Sequence, residues 1–313
     1  MKANEDKKNI LFRVNSSSFI GIGHLMRDLV LAQKYKAKGY NIIFATQDLE
    51  GNINHKILED SYKLKILKSN DKKELINLIK KLNIDLLVID SYDIDYKFEK
   101  YIKSKTNVKI LSFDDTYKKH YCDILLNHNI NANKKRYKKL VPRHCELKCG
   151  SKYTLLRDEF IKEKKKIKKK SLKKDSKIRV FIAMGGADHS NINIKILNVL
   201  KGLTKIEVNL VTTNANKNLE DLKKYCKDKK WVKLHINSNK IAKLMVQSDF
   251  AIVTPSVTVN EVYFLNLPFI AIKTADNQND MYKYLKNRQY IVLNKFDEDI
   301  LKKETYKLIK KVF

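Results

Sequence analysis

Two stretches of the chain carry the residue types that could do chemistry. The first reads Ser16-Ser17-Ser18-Phe19-Ile20-Gly21-Ile22-Gly23-His24-Leu25-Met26-Arg27. Free N–H groups in the first turn of a helix, together with the positive end of its dipole, make a seat for an anion. Gly21 and Gly23 remove side chains that would block backbone approach and tolerate positive φ. His24 is the side chain here that exchanges a proton near neutral pH. Two readings stand open: an anion cradle with a base beside it, or a histidine closing an ordinary strand-to-helix turn. The third glycine of the dinucleotide fingerprint is absent. The second stretch is Thr254-Pro255-Ser256-Val257-Thr258-Val259-Asn260-Glu261. Ser256 or Thr258 there can cap the following helix. In the alternative reading the turn's N–H groups and hydroxyls bind phosphate, and Glu261 accepts hydrogen bonds from ribose hydroxyls.

Both stretches need strands to feed them and helices to follow. The apolar run Ile10 to Val14, interrupted by Arg13, predicts a buried strand before the first, and Leu25, Leu29, Ala32 and Tyr35 recur at helical spacing after it. Further strands are expected at 42–45, 85–89, 108–113 and 124–126, with helices at 74–82 and 96–103. The pattern restarts at 178–184, a strand ending in Gly185-Gly186-Ala187-Asp188, and continues with strands at 207–211, 231–236, 250–253 and 269–272 and a helix at 239–247. Polar residues cluster at the strand ends, the edge where open α/β sheets bind ligands. The expected architecture is α/β: two Rossmann-like domains facing across a cleft. Residues 1–160 form the first, 161–177 a lysine-rich connector, and 178–313 the second. The connector region 162–177 holds ten lysines against Glu163 and Asp175 and reads as an exposed linker or solvated helix end.

Composition narrows the function classes. At 313 residues and 43% hydrophobic content, the chain is long and apolar enough for two real cores. No apolar run approaches the roughly 20 residues that span a bilayer, and the N-terminus lacks a signal-peptide core, so a cytoplasmic protein without membrane insertion is expected. The net charge of +30 is spread over nearly every polar helix face instead of one patch, which argues against nucleic acid as a partner. Cys122, Cys145, Cys149 and Cys226 are unevenly spaced and read as reduced thiols. His144-Cys145-x-x-x-Cys149 lacks a second pair to complete a zinc site, so a buried thiol pair is expected. Asp93-Ile94-Asp95 matches the metal-binding triplet of some sugar transferases, a pattern that arises readily in a chain with 35 acidic residues.

Taken together, several motifs make the chain resemble the UDP-sugar hydrolases of pseudaminic acid biosynthesis. They are Ser16-Ser17-Ser18-x-Ile20-Gly21-x-Gly23-His24, Arg27-Asp28-Leu29-Val30-Leu31-Ala32, Leu111-Ser112-Phe113-Asp114-Asp115, Cys122-Asp123-Ile124-Leu125-Leu126-Asn127, Met184-Gly185-Gly186-x-Asp188 and Val259-Asn260-Glu261. The likeness runs from Ile10 to about Tyr290. It implies the two-domain GT-B glycosyltransferase fold, kinship with the peptidoglycan UDP-GlcNAc transferase, and a place in the pathway that feeds flagellin glycosylation. It also implies release of UDP from UDP-2,4-diacetamido-2,4,6-trideoxy-β-L-altropyranose, with no cofactor and no metal. By position, the family's catalytic histidine falls on His24, its active-site tyrosine on Tyr92, and the asparagine near its sugar on Asn277. Gly21, Gly23, Arg27, Gly185, Gly186, Ser256, Thr258 and Glu261 are the expected substrate-binding residues. Pro255 and Ala187 depart from the family's pattern.

The reaction so implied displaces UDP from the anomeric carbon by water, with inversion. His24 takes the water proton, and Asp114 or Asp115 is expected to orient its imidazole. Helix N-termini at Gly23 and Thr258 take up charge on the diphosphate, while Tyr92 and Asn277 hold the sugar's acetamido and hydroxyl groups. A UDP-sugar-dependent glycosyltransferase of the same fold is the alternative among enzymes, and a non-catalytic nucleotide-sugar or RNA binder the alternative outside them. Oligomeric state is left open.

Overall fold

The computed structural model describes residues 7–167, 177–186, 188 and 190–312. Residues 168–176 of the lysine-rich stretch, Ala187 and His189 lie outside the described residues. The chain divides into two compact units, Met1–Leu155 and Leu156–Phe313.

Strands β1 (Asn9–Val14), β2 (Asn41–Thr46), β3 (Lys63–Ile66), β4 (Ile84–Asp90), β5 (Lys109–Phe113), β6 (Ile124–Asn127) and β7 (Glu146–Cys149) form the sheet of the first unit. Their order is β3-β2-β1-β4-β5-β6-β7, and every neighbouring pair is parallel. Helices α1 (Gly23–Lys36), α2 (His55–Glu59), α3 (Lys72–Lys81) and α4 (Tyr96–Lys105) connect the strands. Ile10, Leu11 and Phe12 of β1 are apolar in unbroken succession because both faces of the strand are covered. Ile10, Phe12 and Val14 pack with Leu25, Leu29 and Phe44 on one face, and Leu11 packs with Ile43, Leu87 and Ile110 on the other. Arg13, which interrupts the run in sequence, is buried at the end of β1. Its guanidinium is satisfied by Asn15, Asn70, Gln47 and the carbonyls of Val14 and Ala45.

The second unit repeats the plan. It contains β8 (Ile178–Ala183), β9 (Ile206–Thr212), β10 (Val232–Ile236), β11 (Phe250–Val253), β12 (Phe269–Ile272) and β13 (Ile291–Leu293), ordered β10-β9-β8-β11-β12-β13 and again parallel throughout. Its helices are α5 (Asp158–Lys165), α6 (Asn193–Lys201), α7 (Leu219–Cys226), α8 (Ile241–Gln247), α9 (Val257–Leu265), α10 (Asn279–Asn287) and α11 (Glu298–Val312). The lysine-rich stretch, expected as an exposed linker or a solvated helix end, begins as a helix end. Its first residues belong to α5, which packs on α8 and α9. Phe160 is fully buried, and the Lys164 ammonium lies 4.2 Å from the centre of the Phe264 ring while bonding the Phe264 carbonyl. A lysine stem can cover apolar surface and still keep its charge solvated, so lysine density alone does not exclude docking.

In each sheet the chain starts at a central strand, winds to one edge, then crosses back to the other side of its starting strand. This reversal lies between β1 and β4 in the first sheet and between β8 and β11 in the second. Diverging connections open a crevice at that point, beyond the carboxyl ends of the strands. Residues after β1, β4, β8 and β11 therefore stand at these crevices.

Candidate active site

In the first unit the Ser-Gly loop after β1 folds largely on its own hydrogen bonds. Ser17 Oγ accepts from the N–H groups of Phe19 and Ile20, and its carbonyl accepts from Gly21 at 2.8 Å. Ser16 Oγ accepts from Ile53 N–H, and Ser18 N–H donates to the Glu50 carbonyl. Gly21 has φ +83°, the left-handed region that requires glycine. Gly23 has no such φ and opens α1, with open space where a Cβ would stand. The N-terminus of α1 has no side-chain cap.

Register brings this loop to the end of β4, since Val14 pairs with Asp90 across the two strands. His24 Nδ1 lies 2.6 Å from Asp90 Oδ1. Arg27, one helical turn on, grips the same carboxylate with two bonds of 2.5 Å, from Nε to Oδ2 and from a terminal nitrogen to Oδ1. Asp90 is 2% exposed. Burial alone would raise its pKa, but the Arg27 charge, then His24 and the hydrogen bonds of both, hold it well below the usual carboxylate range. A charged Asp90 accepting at Nδ1 fixes the tautomer with the proton on Nδ1, which leaves Nε2 to take another. Arg27 also reaches Asp115 at 3.5 Å, and Tyr92 O–H donates to Asp115 at 2.8 Å. The Tyr92 ring then closes on His24 edge-on, 4.9 Å between centroids. His24, Asp90, Arg27, Asp115 and Tyr92 thus form one closed cluster at the crevice of the first sheet. Asp90 ends β4 directly after the apolar run 86–89, and its role was missed because sequence alone does not say which strand lies beside β1.

The orienting carboxylate expected at Asp114 or Asp115 is a point of correction: Asp90 meets His24. Asp114 is engaged by Thr116 and lies 3.8 Å from His120, interactions that overcome burial and hold it at about 2. His120 bonds the fully buried Glu99 at 2.8 Å, and Glu99 also accepts from Ser112 Oγ and Tyr121 N–H. Burial disfavours the imidazolium, but Asp114 and Glu99 raise His120 to about 9. His128 is buried against Phe113 and accepts from Leu155 N–H. Burial, then the charge of Arg27, lowers it to about 3, so it stays neutral. Asp95 of the acidic triplet caps α4 by accepting from Phe98 N–H at 2.8 Å. The thiol pair is Cys122 with Cys145, at 3.7 Å, in place of the pair expected at Cys145 and Cys149. Among the described residues no three His, Cys, Asp or Glu side chains gather as metal ligands, and no helix is long and apolar enough to cross a membrane.

In the second unit the predicted residues again fall on the crevice edge. Gly185 follows β8 with φ +85° and nothing within reach of an added Cβ. Gly186 is held down instead: its carbonyl accepts from Thr212 Oγ1, Thr213 Oγ1 and Thr213 N–H, and a Cβ there would lie 2.9 Å from the Thr213 methyl. Ser256 sits at the N-cap position of α9, yet no side-chain cap forms, because its hydroxyl pairs with Thr254 Oγ1 at 2.9 Å. Thr258 lies in the first turn. Glu261 is a turn further along and has, among the described residues, one long contact of 3.4 Å to Arg157, whose shorter bond of 2.6 Å goes to Glu159. Burial pushes Glu261 up to about 7 despite the Arg157 charge. Asn277 is exposed in a single 3-10 turn after β12, fixed there by Gln278, which accepts from Thr274 N–H.

No protein-family model matches the chain. It is 42% identical over 287 residues to the UDP-2,4-diacetamido-2,4,6-trideoxy-β-L-altropyranose hydrolase of Campylobacter jejuni, covering 92% of this chain and 99% of that protein. The spore coat polysaccharide biosynthesis protein SpsG of Bacillus subtilis is 24% identical, over 82% of this chain and 75% of SpsG. Among solved structures, MurG of Acinetobacter baumannii aligns with a TM-score of 0.63 at 12% identity, covering 98% of this chain and 92% of its own. The spinosyn rhamnosyltransferase SpnG aligns at 0.69 and 10%, covering 97% and 92%. Identities this low carry the fold alone, and that fold is the GT-B glycosyltransferase architecture. At 42% identity over nearly the full length of both chains, the relationship is closer: this chain belongs to the family of the UDP-2,4-diacetamido-2,4,6-trideoxy-β-L-altropyranose hydrolase.

Proposed function

We propose that the chain hydrolyses UDP-2,4-diacetamido-2,4,6-trideoxy-β-L-altropyranose to UDP and the free sugar, in the cytoplasm, as a step of pseudaminic acid biosynthesis. His24 Nε2 accepts a proton from water as its oxygen attacks the anomeric carbon on the face opposite UDP. The glycosidic C–O bond breaks with inversion, and its electron pair leaves with the diphosphate. The observation that carries this reading is the 2.6 Å contact of His24 Nδ1 with a carboxylate already neutralised by Arg27. Such a carboxylate steadies the imidazolium as it forms without taking the proton itself. Tyr92 and Asn277 hold the acetamido and hydroxyl groups. Gly21, Gly23, Gly185 and Gly186 admit the substrate, and Arg27 acts through Asp90. The uncapped first turn of α9, with Ser256 and Thr258, takes the diphosphate, and Glu261 accepts from the ribose. Neither a metal nor a cofactor takes part.

The test is His24→Asn. The expected result is UDP affinity close to wild type with turnover lower by about 10² to 10⁴; wild-type turnover would remove His24 as the base. Because MurG and SpnG share the fold, transfer to a sugar or lipid acceptor is the second reading. Proton NMR at early times separates the two. Free sugar of inverted anomeric configuration, formed without any acceptor, supports hydrolysis. UDP release that waits for an acceptor supports transfer.

A further inference from the structure

Asp28 takes no part in the scheme above, although it is the neighbour of Arg27 on α1 and belongs to one of the motifs singled out in the sequence. It is completely buried. Neither of its carboxyl oxygens meets an N–H or O–H donor of the described protein. A buried carboxylate left so is strongly disfavoured, because nothing replaces the water it gave up. What lies within hydrogen-bonding reach is another carboxyl group, that of Asp90. Two acceptor-only carboxylates cannot share that contact, whereas a carboxylic acid and a carboxylate can. Asp90 has room for it. Its Oδ1 accepts from His24 and Arg27, but its Oδ2 accepts from Arg27 Nε alone among the bonds described.

We propose that Asp28 is held as a neutral carboxylic acid whose O–H donates to Asp90, making it a positioning residue that sets how strongly Asp90 pulls on His24. The groups facing this pair are Arg27 and His24 on α1, Asp115 beside Arg27 and Tyr92 beside His24, with neutral His128 after β6 within electrostatic range of Arg27, Asp90 and His24. Burial first, then the negative charge of Asp90, keep the Asp28 carboxyl well above the usual carboxylate range against the pull of Arg27. The consequence is chemical. A third donor spreads the Asp90 charge, so the imidazolium is stabilised enough to form and still gives its proton up. Without that donor Asp90 binds the imidazolium more tightly, and the acidic limb of the rate profile moves to higher pH.

The proposal rests on the reading of His24 as base only for its kinetic consequence; the protonation state of Asp28 is tested without it. Infrared spectra of the whole resting enzyme at neutral pH, unlabelled and with ¹³C-aspartate, should contain the carbonyl stretch of a neutral aspartic acid. Aspartate labelling separates that band from Glu261. It should vanish in Asp28→Asn and survive in His24→Asn. In kcat/KM profiles, Asp28→Asn, which keeps a neutral donor, should hold the acidic limb within about 0.3 pH unit of wild type whatever its rate. Asp28→Leu, of similar size but without a donor, should move that limb upward by about one unit. Absence of the aspartic acid band in wild type overturns the proposal even if neither variant folds. An acidic limb that moves as far in Asp28→Asn as in Asp28→Leu, or moves downward in Asp28→Asn, overturns it too. Should His24→Asn keep its turnover while the band persists, the base assignment fails and the neutral acid stands.

Discussion

Replacing Asp90 by asparagine tests the centre of the proposed mechanism. The change keeps the shape but removes the charge that accepts one bond from His24 at 2.6 Å and two from Arg27 at 2.5 Å. An ion pair about 4 Å apart at an effective dielectric constant of about 20 is worth about 4 kcal/mol. If that attraction appears only as the imidazolium forms, its loss slows turnover by about a thousandfold, at 1.36 kcal/mol per decade. The amide can also donate to Nδ1 and install the wrong tautomer, which costs about 10⁴ in turnover when the same substitution is made in a serine-protease triad. Stability changes as well, because Arg27 would be left buried with Asp115 at 3.5 Å as its remaining carboxylate. Breaking a buried pair costs about 3–5 kcal/mol. The sign with pH is determined by the depressed pKa of Asp90. The stabilisation is present above the unfolded carboxylate pKa of about 4 and is lost as pH falls below it, so wild type and variant converge in acid. The assay is UDP release from the UDP-sugar at low temperature, with folding followed by circular dichroism and UDP affinity by calorimetry. A folded Asp90→Asn enzyme within tenfold of wild-type kcat/KM would refute the reasoning.

Other outcomes follow from the same structure. At a pH well above 7, where Glu261 is charged, Glu261→Gln should weaken UDP binding by about 10- to 100-fold, since a hydrogen bond to a charged group is worth about 1.5–3 kcal/mol. Calorimetry should also show it losing discrimination between UDP and 2′-deoxy-UDP. His120 has a folded pKa raised to about 9, so its contribution to stability is complete below the unfolded value of about 6.5 and is lost as pH rises toward 9. That contribution has an upper bound of about 3 kcal/mol, and thermal midpoints of His120→Gln should be flatter than wild type across that range. Turnover should persist in excess EDTA, and stimulation by a divalent cation would contradict the proposed chemistry.

The central strands and the loops after them were legible in the sequence because each is written in local terms. Ile10 to Val14 and 85–89 are apolar runs closed by polar residues, and Gly21 marks a left-handed turn. The edge strands β3, β7 and β13 were not, whereas the edge strand β10 was read at 231–236. Lys63–Ile66 alternates lysine with leucine and isoleucine, and Glu146–Cys149 is short and half polar, as suits sheet edges that must discourage further pairing. The site was legible as far as the histidine and its glycine turn. The partners Asp90 and Arg157 depend on strand order and on the docking of α5, which no spacing along the chain records. Asp114-Asp115 misled for the same reason: two adjacent carboxylates at a strand end point opposite ways, one toward His120 and the other toward Tyr92.

The serines of the first loop have a thermodynamic consequence. The hydroxyls of Ser16 and Ser17 are spent on the loop's own amides and on its neighbour at Ile53, so they shape the cradle and leave recognition to others. A segment that is already folded gives up little conformational freedom when it closes on a ligand, so more of the interaction energy survives as affinity. Removing the Ser17 hydroxyl would therefore disturb binding through disorder in the free enzyme, with no bond to substrate broken.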